Sequence, residues 1–320
     1  MSWCNSNSGR TVGMKEGTMK NLKTFGPLFV IIAALLWSLD GLLRRSLYSL
    51  PPSVVVFYEH IVGLLILLLL LPKWAPDLKK MTKKEWIAIG LVSLFSGALG
   101  TIFYTSALGK VNYIQYSVVV LLQQLQPIWA IGAASILLKE KISPKFLLWA
   151  FVALIAAYFV TFKDLTVNLS TGGGTAVAGL LALGAGFLWG SSTAISKYVL
   201  NKVSFLTATA LRFMLAPFFA FGFIVYLGQT ASLSQITTPQ WGTLLLIAFS
   251  TGMLALAIYY YGLKRTPAKI TTICELVWPA SAIFIDYVYF HQTLSSTQIL
   301  GVIVLLFAIY QVAWKEKKLT

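Results

Sequence analysis

The sequence predicts an all-α, polytopic membrane protein of ten transmembrane helices that form two inverted five-helix repeats. Three observations lead to this prediction. Of the 320 residues, 58% are hydrophobic and only 11% are charged, whereas soluble domains have about 25% charged residues. The apolar residues fall into stretches that are long enough to cross a bilayer. Finally, the second half of the chain repeats features of the first half.

The predicted spans are separated by residues that favour turns. Each span needs about 20 mainly apolar residues, and turn-favouring pairs such as Pro51-Pro52 and Ser143-Pro144 fall between the apolar stretches. The predicted spans are 26–47, 53–71, 86–108, 112–138, 146–162, 175–199, 204–226, 240–263, 267–290 and 296–314.

This pattern divides the chain into two repeats with short polar ends. The divisions are a polar tail (1–24), a first five-helix repeat (25–163), an outer linker (164–174), a second repeat (175–314) and a basic tail (315–320). The N-terminal tail has no apolar core, so we do not expect a cleaved signal peptide. Translation starts at Met1, Met14 and Met19 are all compatible with the sequence.

The basic residues lie mainly on one predicted side of the membrane. With the N-terminus in the cytoplasm, 20 of the 25 lysine and arginine residues fall in cytoplasmic tails and loops; the others are Arg44, Arg45, Lys110, Lys163 and Arg212. Cytoplasmic loops of membrane proteins carry such an excess of positive charge. The sequence therefore predicts a plasma-membrane protein with both termini in the cytoplasm. The same pattern explains the net charge of +15 without a nucleic-acid partner.

The repeat is visible where similar residues recur 152 positions apart. The run that ends at Trp37 matches the run that ends at Trp189, and Pro127 matches Pro279. Because each repeat has five predicted spans, an odd number, the second repeat must cross the membrane in the opposite direction. Inverted repeats of this kind are common in secondary transporters.

Several ionisable residues lie within the predicted spans, where they are costly and often functional. They are Asp40, Arg44, Glu59, His60, Arg212, Glu275 and Asp286. The spacing of Asp40 and Arg44 also fits a local ion pair near the outer interface, with Arg44 extended toward water. Glu59 and Arg212 occupy similar points of the second and seventh spans and are candidates to pair with each other. His60 is expected to pack between helices.

The fourth and ninth predicted spans each combine polar residues with a proline. Gln123 and Gln126 precede Pro127, and a proline within a span frees carbonyl groups that are often found at a cavity. The alternative is that these glutamines only join helices. Glu275 precedes Pro279; because burial favours a protonated carboxyl group, Glu275 is a candidate proton-coupling residue. Its alternative role is a permanent pair with Arg212.

Four aromatic residues are candidates to line a substrate cavity. Trp37 and Trp189 are too deep for an interfacial belt, and with Tyr260 and Trp278 they would suit an apolar or cationic group. The full set of predicted binding residues is Trp37, Asp40, Glu59, Gln123, Gln126, Trp189, Arg212, Tyr260 and Trp278, with Glu275 and Glu59 as candidates for proton coupling.

Several short motifs resemble the drug/metabolite transporter superfamily, in particular its ten-helix branch of paired EamA-type repeats. They are the Leu-Trp pairs at Trp37 and Trp189, Ala210 to Phe213, Tyr104 to Leu108, Tyr259 to Leu263, Gln126-Pro127, Trp278-Pro279 and Lys139 to Ile142. The resemblance implies a central cavity and transport of small organic solutes, often export of amino acids, without ATP hydrolysis. It also implies a structural role for Glu140.

The sequence departs from this family at three positions, which affects the expected substrate charge and coupling. Glu59 stands where the first repeat often has arginine, Trp278 stands where an acidic residue often precedes the proline, and Gln292 replaces a glutamate.

The expected function is secondary transport of a small metabolite, with export of an amino-acid-like solute by alternating access as the leading hypothesis. An exchanger of cationic or aromatic metabolites without proton coupling is the alternative, and a channel or a non-catalytic receptor represents other classes. No enzyme motif such as HExxH or GxSxG occurs, and no cofactor or metal is expected. The expected partners are the bilayer and a small-molecule substrate, and the chain is expected to be a monomer or a homodimer.

Overall fold

The computed structural model describes residues 25–109, 122–161, 174–290 and 295–315, and these residues form helices joined by short connections. The helices are α1 (Gly26–Ser38), α2 (Asp40–Arg45), α3 (Pro52–Leu68), α4 (Leu71–Trp74), α5 (Lys83–Val92), α6 (Gly100–Leu108), α7 (Gln126–Leu137), α8 (Pro144–Thr161), α9 (Gly174–Leu200), α10 (Phe205–Tyr226), α11 (Thr238–Phe249), α12 (Met253–Arg265), α13 (Ala268–Cys274), α14 (Val277–Phe290) and α15 (Ser296–Tyr310). A π-helical segment, Ser93–Leu99, joins α5 to α6.

The all-helical, polytopic membrane architecture predicted from the sequence is confirmed. Among the described residues, six helical segments are long and apolar enough to cross a membrane, and a seventh is added if the bent pair Pro52–Leu68 and Leu71–Lys80 counts as one span. The helices Gln126–Leu137 and Pro144–Val160 are apolar but shorter. Part of the fourth predicted span lies outside the described residues, so the count of ten spans stays a prediction.

The main helix contacts are symmetric with respect to the two repeats. If each helix in such a contact is replaced by its counterpart in the other repeat, the result is another observed contact or the same one. Helix α1 packs on α12, and its counterpart α9 packs on α6; α3 packs on α10, and α8 packs on α15. Small residues allow close approaches between helices, both in the contact of α1 with α12 and in that of α9 with α7. A Cβ atom at Gly262 of α12 would lie 2.8 Å from the Val30 side chain of α1, and one at Gly190 of α9 would lie 2.5 Å from the Gln126 carbonyl oxygen.

Several helices of the described structure are interrupted in the interior of the bundle. The chain leaves the helix at residues 124–125, just before Pro127, and at residues 275–276, just before Pro279. In the first span, α1 ends at Ser38 and α2 begins at Asp40. Broken helices in membrane proteins expose backbone groups only where these face protein or a cavity. The interruptions therefore place polar groups toward the centre of the fold.

Glu140 makes a structural contact between the two halves of the chain. Its carboxylate accepts hydrogen bonds from the backbone N–H groups of Ala268 (2.7 Å) and Lys269 (3.0 Å) at the start of α13. A carboxylate at this position satisfies free N–H groups and complements the helix dipole. Gln292, its counterpart by sequence, lies outside the described residues.

The charge asymmetry predicts which side of the membrane each loop faces. In a chain without its native cysteines, Lys80→Cys and Lys317→Cys should react with an impermeant maleimide only from the cytoplasmic side, and Lys163→Cys should react only from the outside. Labelling is measured in intact cells and in inverted vesicles. If Lys80→Cys and Lys163→Cys react from the same side, the ten-span arrangement is wrong.

Candidate functional site

A cavity lies between α1, α3, α9, α10, α12 and the interruptions at residues 124–125 and 275–276. The volume of this cavity is about 170 Å³. It is lined by all the residues predicted for binding and coupling: Trp37, Asp40, Glu59, Gln123, Gln126, Trp189, Arg212, Tyr260, Glu275 and Trp278. The roles of these residues remain predictions, but the structure brings them to one place.

A buried, hydrogen-bonded cluster of Asp40, Arg44, Glu59 and Thr251 lines part of this cavity. Arg44 Nε donates to Asp40 Oδ2, and Arg44 Nη2 donates to Glu59 Oε2 at 2.8 Å. Thr251 Oγ1 donates to Asp40 Oδ1 at 2.7 Å from the second half of the chain. Both carboxylates are thus bound to the one guanidinium of Arg44. Neither carboxylate is free to pair with a charged solute unless this cluster is broken.

This cluster corrects two sequence-based expectations. Glu59 pairs with Arg44 and not with Arg212, because α2 turns Asp40 and Arg44, four residues apart, toward α3. Arg44 is only 3% exposed, so its side chain does not extend to water as expected. Sequence position along a span does not determine which helix face meets a neighbour, so the pairing of Glu59 with Arg44 could not be inferred from spacing alone.

Arg212 projects into the cavity without a carboxylate partner in the described part of the chain. Its Nη2 donates to the Ser96 carbonyl oxygen at 2.8 Å, and its Nη1 is 3.5 Å from the Tyr260 hydroxyl. Its Nε has no hydrogen-bond partner among the described residues. Arg212 is therefore a hydrogen-bond donor, carrying a positive charge, that is available to a solute.

The Ser96 carbonyl group is available because it lies in the π-helical segment Ser93–Leu99. Besides Arg212, it accepts hydrogen bonds from Trp189 Nε1 (3.3 Å) and Thr101 Oγ1 (3.0 Å). π-Helical turns are frequent at functional sites. Gly100 permits the approach of Trp189, since a Cβ atom there would lie 2.7 Å from the indole nitrogen. Sequence reasoning missed this feature, for which the only signal is the small-residue run from Ser96 to Gly100.

Glu275 accepts hydrogen bonds from two neutral donors. Gln126 Nε2 lies 2.7 Å from Glu275 Oε2, and the Tyr259 hydroxyl lies 2.8 Å from Glu275 Oε1. The Tyr259 hydroxyl also contacts Thr193 Oγ1 at 3.1 Å. No ion pair joins Glu275 to Arg212 in the described structure, so the alternative of a permanent pair with Arg212 is wrong. Gln126 thus connects the two interrupted helices.

Two pairs of aromatic rings face the cavity, and each pair joins one ring from the first half of the chain to one from the second. The rings of Trp37 and Tyr259 are 5.0 Å apart, and those of Tyr104 and Trp189 are 5.2 Å apart. The ring of Tyr260 lies 5.9 Å from that of Tyr259. The two pairs belong to corresponding helix contacts of the repeat, α1 with α12 and α9 with α6. Such surfaces suit a flat, conjugated group.

His60 packs as the sequence suggests but also borders the cavity. Its ring lies 4.6 Å from the Phe213 ring, and its Nδ1 is 2.8 Å from the Val56 carbonyl oxygen. Because a carbonyl oxygen only accepts, Nδ1 carries the hydrogen in this contact. Among the residues that the structure describes, no group of three histidine, cysteine or acidic side chains is placed to hold a metal ion.

A helical bundle with interrupted spans around a polar and aromatic cavity has the architecture of a membrane transporter. Comparison with known proteins supports this class. The EamA-like transporter family matches residues 24–162 and, separately, residues 177–314. The chain belongs to this family and is a multi-pass membrane transporter of a small molecule.

Named relatives are also transporters. The chain is 35% identical over 290 residues to the riboflavin transporter ImpX of Fusobacterium nucleatum subsp. nucleatum. The aligned region covers 90% of this chain and 97% of the relative. It is 24% identical over 261 residues to the uncharacterized transporter sll1164 of Synechocystis sp., over 79% of this chain and 73% of that protein. A solved crystal structure with 15% sequence identity has the same fold, with a TM-score of 0.71 over 92% of this chain and 98% of that one.

Proposed function

We propose that this protein transports riboflavin or a closely related flavin across the plasma membrane. The observation that carries the proposal is the pair of aromatic groups, Trp37 with Tyr259 and Tyr104 with Trp189, on the walls of one cavity. The isoalloxazine ring of a flavin is flat and conjugated, and aromatic side chains bind such rings by stacking. The 35% identity to a riboflavin transporter over 90% of the chain supports the same substrate.

The charges of the cavity also agree with a neutral substrate. Asp40, Arg44 and Glu59 bind one another, and breaking that cluster to bind a charged solute would leave a buried charge unpaired. Arg212 can instead donate hydrogen bonds to the carbonyl oxygens of the flavin ring. Arginine has several N–H donors in one plane, which suits two neighbouring acceptors.

Export of an amino-acid-like solute is the second candidate, and Arg212 is the observation that favours it. A guanidinium group with no carboxylate partner among the described residues would compensate a substrate carboxylate. Glu275 or Glu59 would then receive the ammonium group. In this scheme the aromatic side chains would contact the apolar part of the solute.

For either solute, we propose that the two halves rock around the cavity to expose it to each side in turn. The two terminal tails would lie in the cytoplasm, and the protein would act as a monomer or a homodimer. Glu275 is the first candidate for proton coupling, because its partners are neutral, whereas Glu59 is paired with Arg44.

Transport in proteoliposomes tests both candidates. Labelled riboflavin and a mixture of labelled amino acids are measured for uptake and efflux, with and without a pH gradient. We expect saturable riboflavin transport, and we expect Trp37→Leu to reduce it about tenfold, since stacking on one aromatic side chain contributes about 1–3 kcal/mol. Trp86→Leu is the matched control, because Trp86 is exposed and lies away from the cavity.

The two candidates predict different results in this assay. Amino-acid transport that depends on Arg212, without any flavin transport, would favour the second candidate. Equal loss of riboflavin transport in Trp37→Leu and Trp86→Leu would argue against stacking in the cavity.

A further inference from the structure

We propose that Gln123, Ser192 and Thr272 form a subsite for the hydroxylated side chain of the substrate, separate from the aromatic surfaces that bind its ring. This inference rests on the proposed function, since riboflavin joins a flat ring to a ribityl chain with several hydroxyl groups. It assigns the two parts of one substrate to two parts of the cavity.

The three side chains share an unusual property. Gln123 Oε1, Ser192 Oγ and Thr272 Oγ1 are buried, and none of them has a hydrogen-bond partner among the described residues. Ser192 is 2% exposed and Thr272 is 0% exposed, yet all three residues line the cavity. Buried polar groups in proteins are almost always hydrogen-bonded, so each exception requires an explanation. A polar substrate in the cavity provides one.

Each of these three residues lies close in sequence to a member of one hydrogen-bonded chain. Gln126, three residues after Gln123, donates to Glu275, which is three residues after Thr272. Ser192 precedes Thr193, whose hydroxyl contacts the Tyr259 hydroxyl that donates to Glu275. All three residues line the cavity that also contains the hydrogen-bonded chain of Gln126, Glu275, Tyr259 and Thr193.

The backbone at Gln123 is closely packed against α9. A Cβ atom at Gly186 of α9 would lie 3.0 Å from the Gln123 carbonyl oxygen, so the backbone of α9 nearly touches the chain at Gln123. Packed helices of this kind do not deform continuously. The backbone at Gln123 therefore has little freedom to move.

The side chains of Gln123, Ser192 and Thr272 suit a ligand with a chain of hydroxyl groups better than they suit an ion. The amide oxygen of Gln123 only accepts hydrogen bonds, while the hydroxyl groups of Ser192 and Thr272 both donate and accept. A ribityl hydroxyl can donate to the amide and exchange both kinds of bond with the side-chain hydroxyls. The acidic group beside them, Glu275, already accepts bonds from Gln126 and Tyr259.

Riboflavin and lumiflavin distinguish this subsite from the ring site. Lumiflavin has the same ring with a methyl group in place of the ribityl chain. We expect the wild-type protein to prefer riboflavin in proteoliposome transport. In the double variant Ser192→Ala, Thr272→Val, the KM for riboflavin should rise about tenfold, while the KM for lumiflavin should stay the same. The preference for riboflavin over lumiflavin should therefore fall about tenfold.

Two controls separate recognition from folding. Ser135→Ala removes a hydroxyl that donates to the Gly132 carbonyl oxygen outside the cavity, and it should not change the preference. Thr272→Ser keeps a hydroxyl group at the buried position and should therefore retain the preference for riboflavin. If Thr272→Val folds poorly, Ser192→Ala alone should still show part of the loss of this preference.

The outcomes that contradict the inference are distinct from those that contradict the proposed function. If the wild-type protein transports both flavins and the variants keep the same preference, the subsite is wrong and the proposed function stands. If the wild-type protein transports neither flavin, the proposed function and this subsite are both wrong.

Discussion

Replacing Arg44 with methionine is expected to cause the largest loss of stability of any single change in the cavity. Arg44 is 3% exposed and binds both Asp40 and Glu59. Without it, two buried carboxylates face each other, and removing one partner of a buried ion pair costs about 3–5 kcal/mol. The purified protein should therefore unfold at a much lower temperature in detergent, and its folded yield should fall.

The ion pair between the exposed Lys80 side chain and Asp77 provides the control. The Lys80 side chain is 62% exposed, and exposed pairs contribute little to stability, so Lys80→Met should have a much smaller effect. The triple variant Arg44→Met, Asp40→Asn, Glu59→Gln should recover part of the lost stability, because no unpaired charge remains. Equal unfolding temperatures for Arg44→Met and Lys80→Met would contradict a stabilising role of the cluster.

The sequence predicts the fold well because the bilayer imposes strong constraints. Apolar stretches of fixed length and one-sided basic loops indicate the class of protein from composition alone. The 152-residue offset that relates Trp37 to Trp189 also relates helix pairs in the structure, α1 with α12 and α9 with α6. The breaks before Pro127 and Pro279 follow from the geometry of proline.

The pairing of polar side chains is less predictable from the sequence. Ionisable residues inside spans identify the cavity, since each is costly in lipid. Their partners depend on helix rotation, which periodicity does not fix, and Glu59 therefore pairs with Arg44 instead of Arg212. The Ser96 carbonyl that binds Arg212 and Trp189 depends on a π-helical segment, for which the sequence offers only a run of small residues.

Replacing Glu275 with glutamine is expected to abolish transport driven by a pH gradient and to leave exchange without a gradient largely intact. Glu275 contacts the neutral side chains of Gln126 and Tyr259, and no ion pair holds it charged in the described structure. Protonation would therefore change the charge of the connection between the two interrupted helices. Glutamine resembles the protonated carboxyl group in shape and charge, so the variant should behave as if it were protonated at every pH.

Two further variants show whether the pH response belongs to Glu275. Glu59→Gln weakens the cluster with Arg44 and should lower stability while the response to the pH gradient remains, because Glu275 is unchanged. Arg212→Ala should weaken substrate binding itself, since it removes a donor that faces the cavity. Accumulation is measured in proteoliposomes at a series of internal and external pH values. Full pH-driven accumulation by Glu275→Gln would show that Glu275 is not the coupling residue, and Glu59 would then be the carboxylate to test.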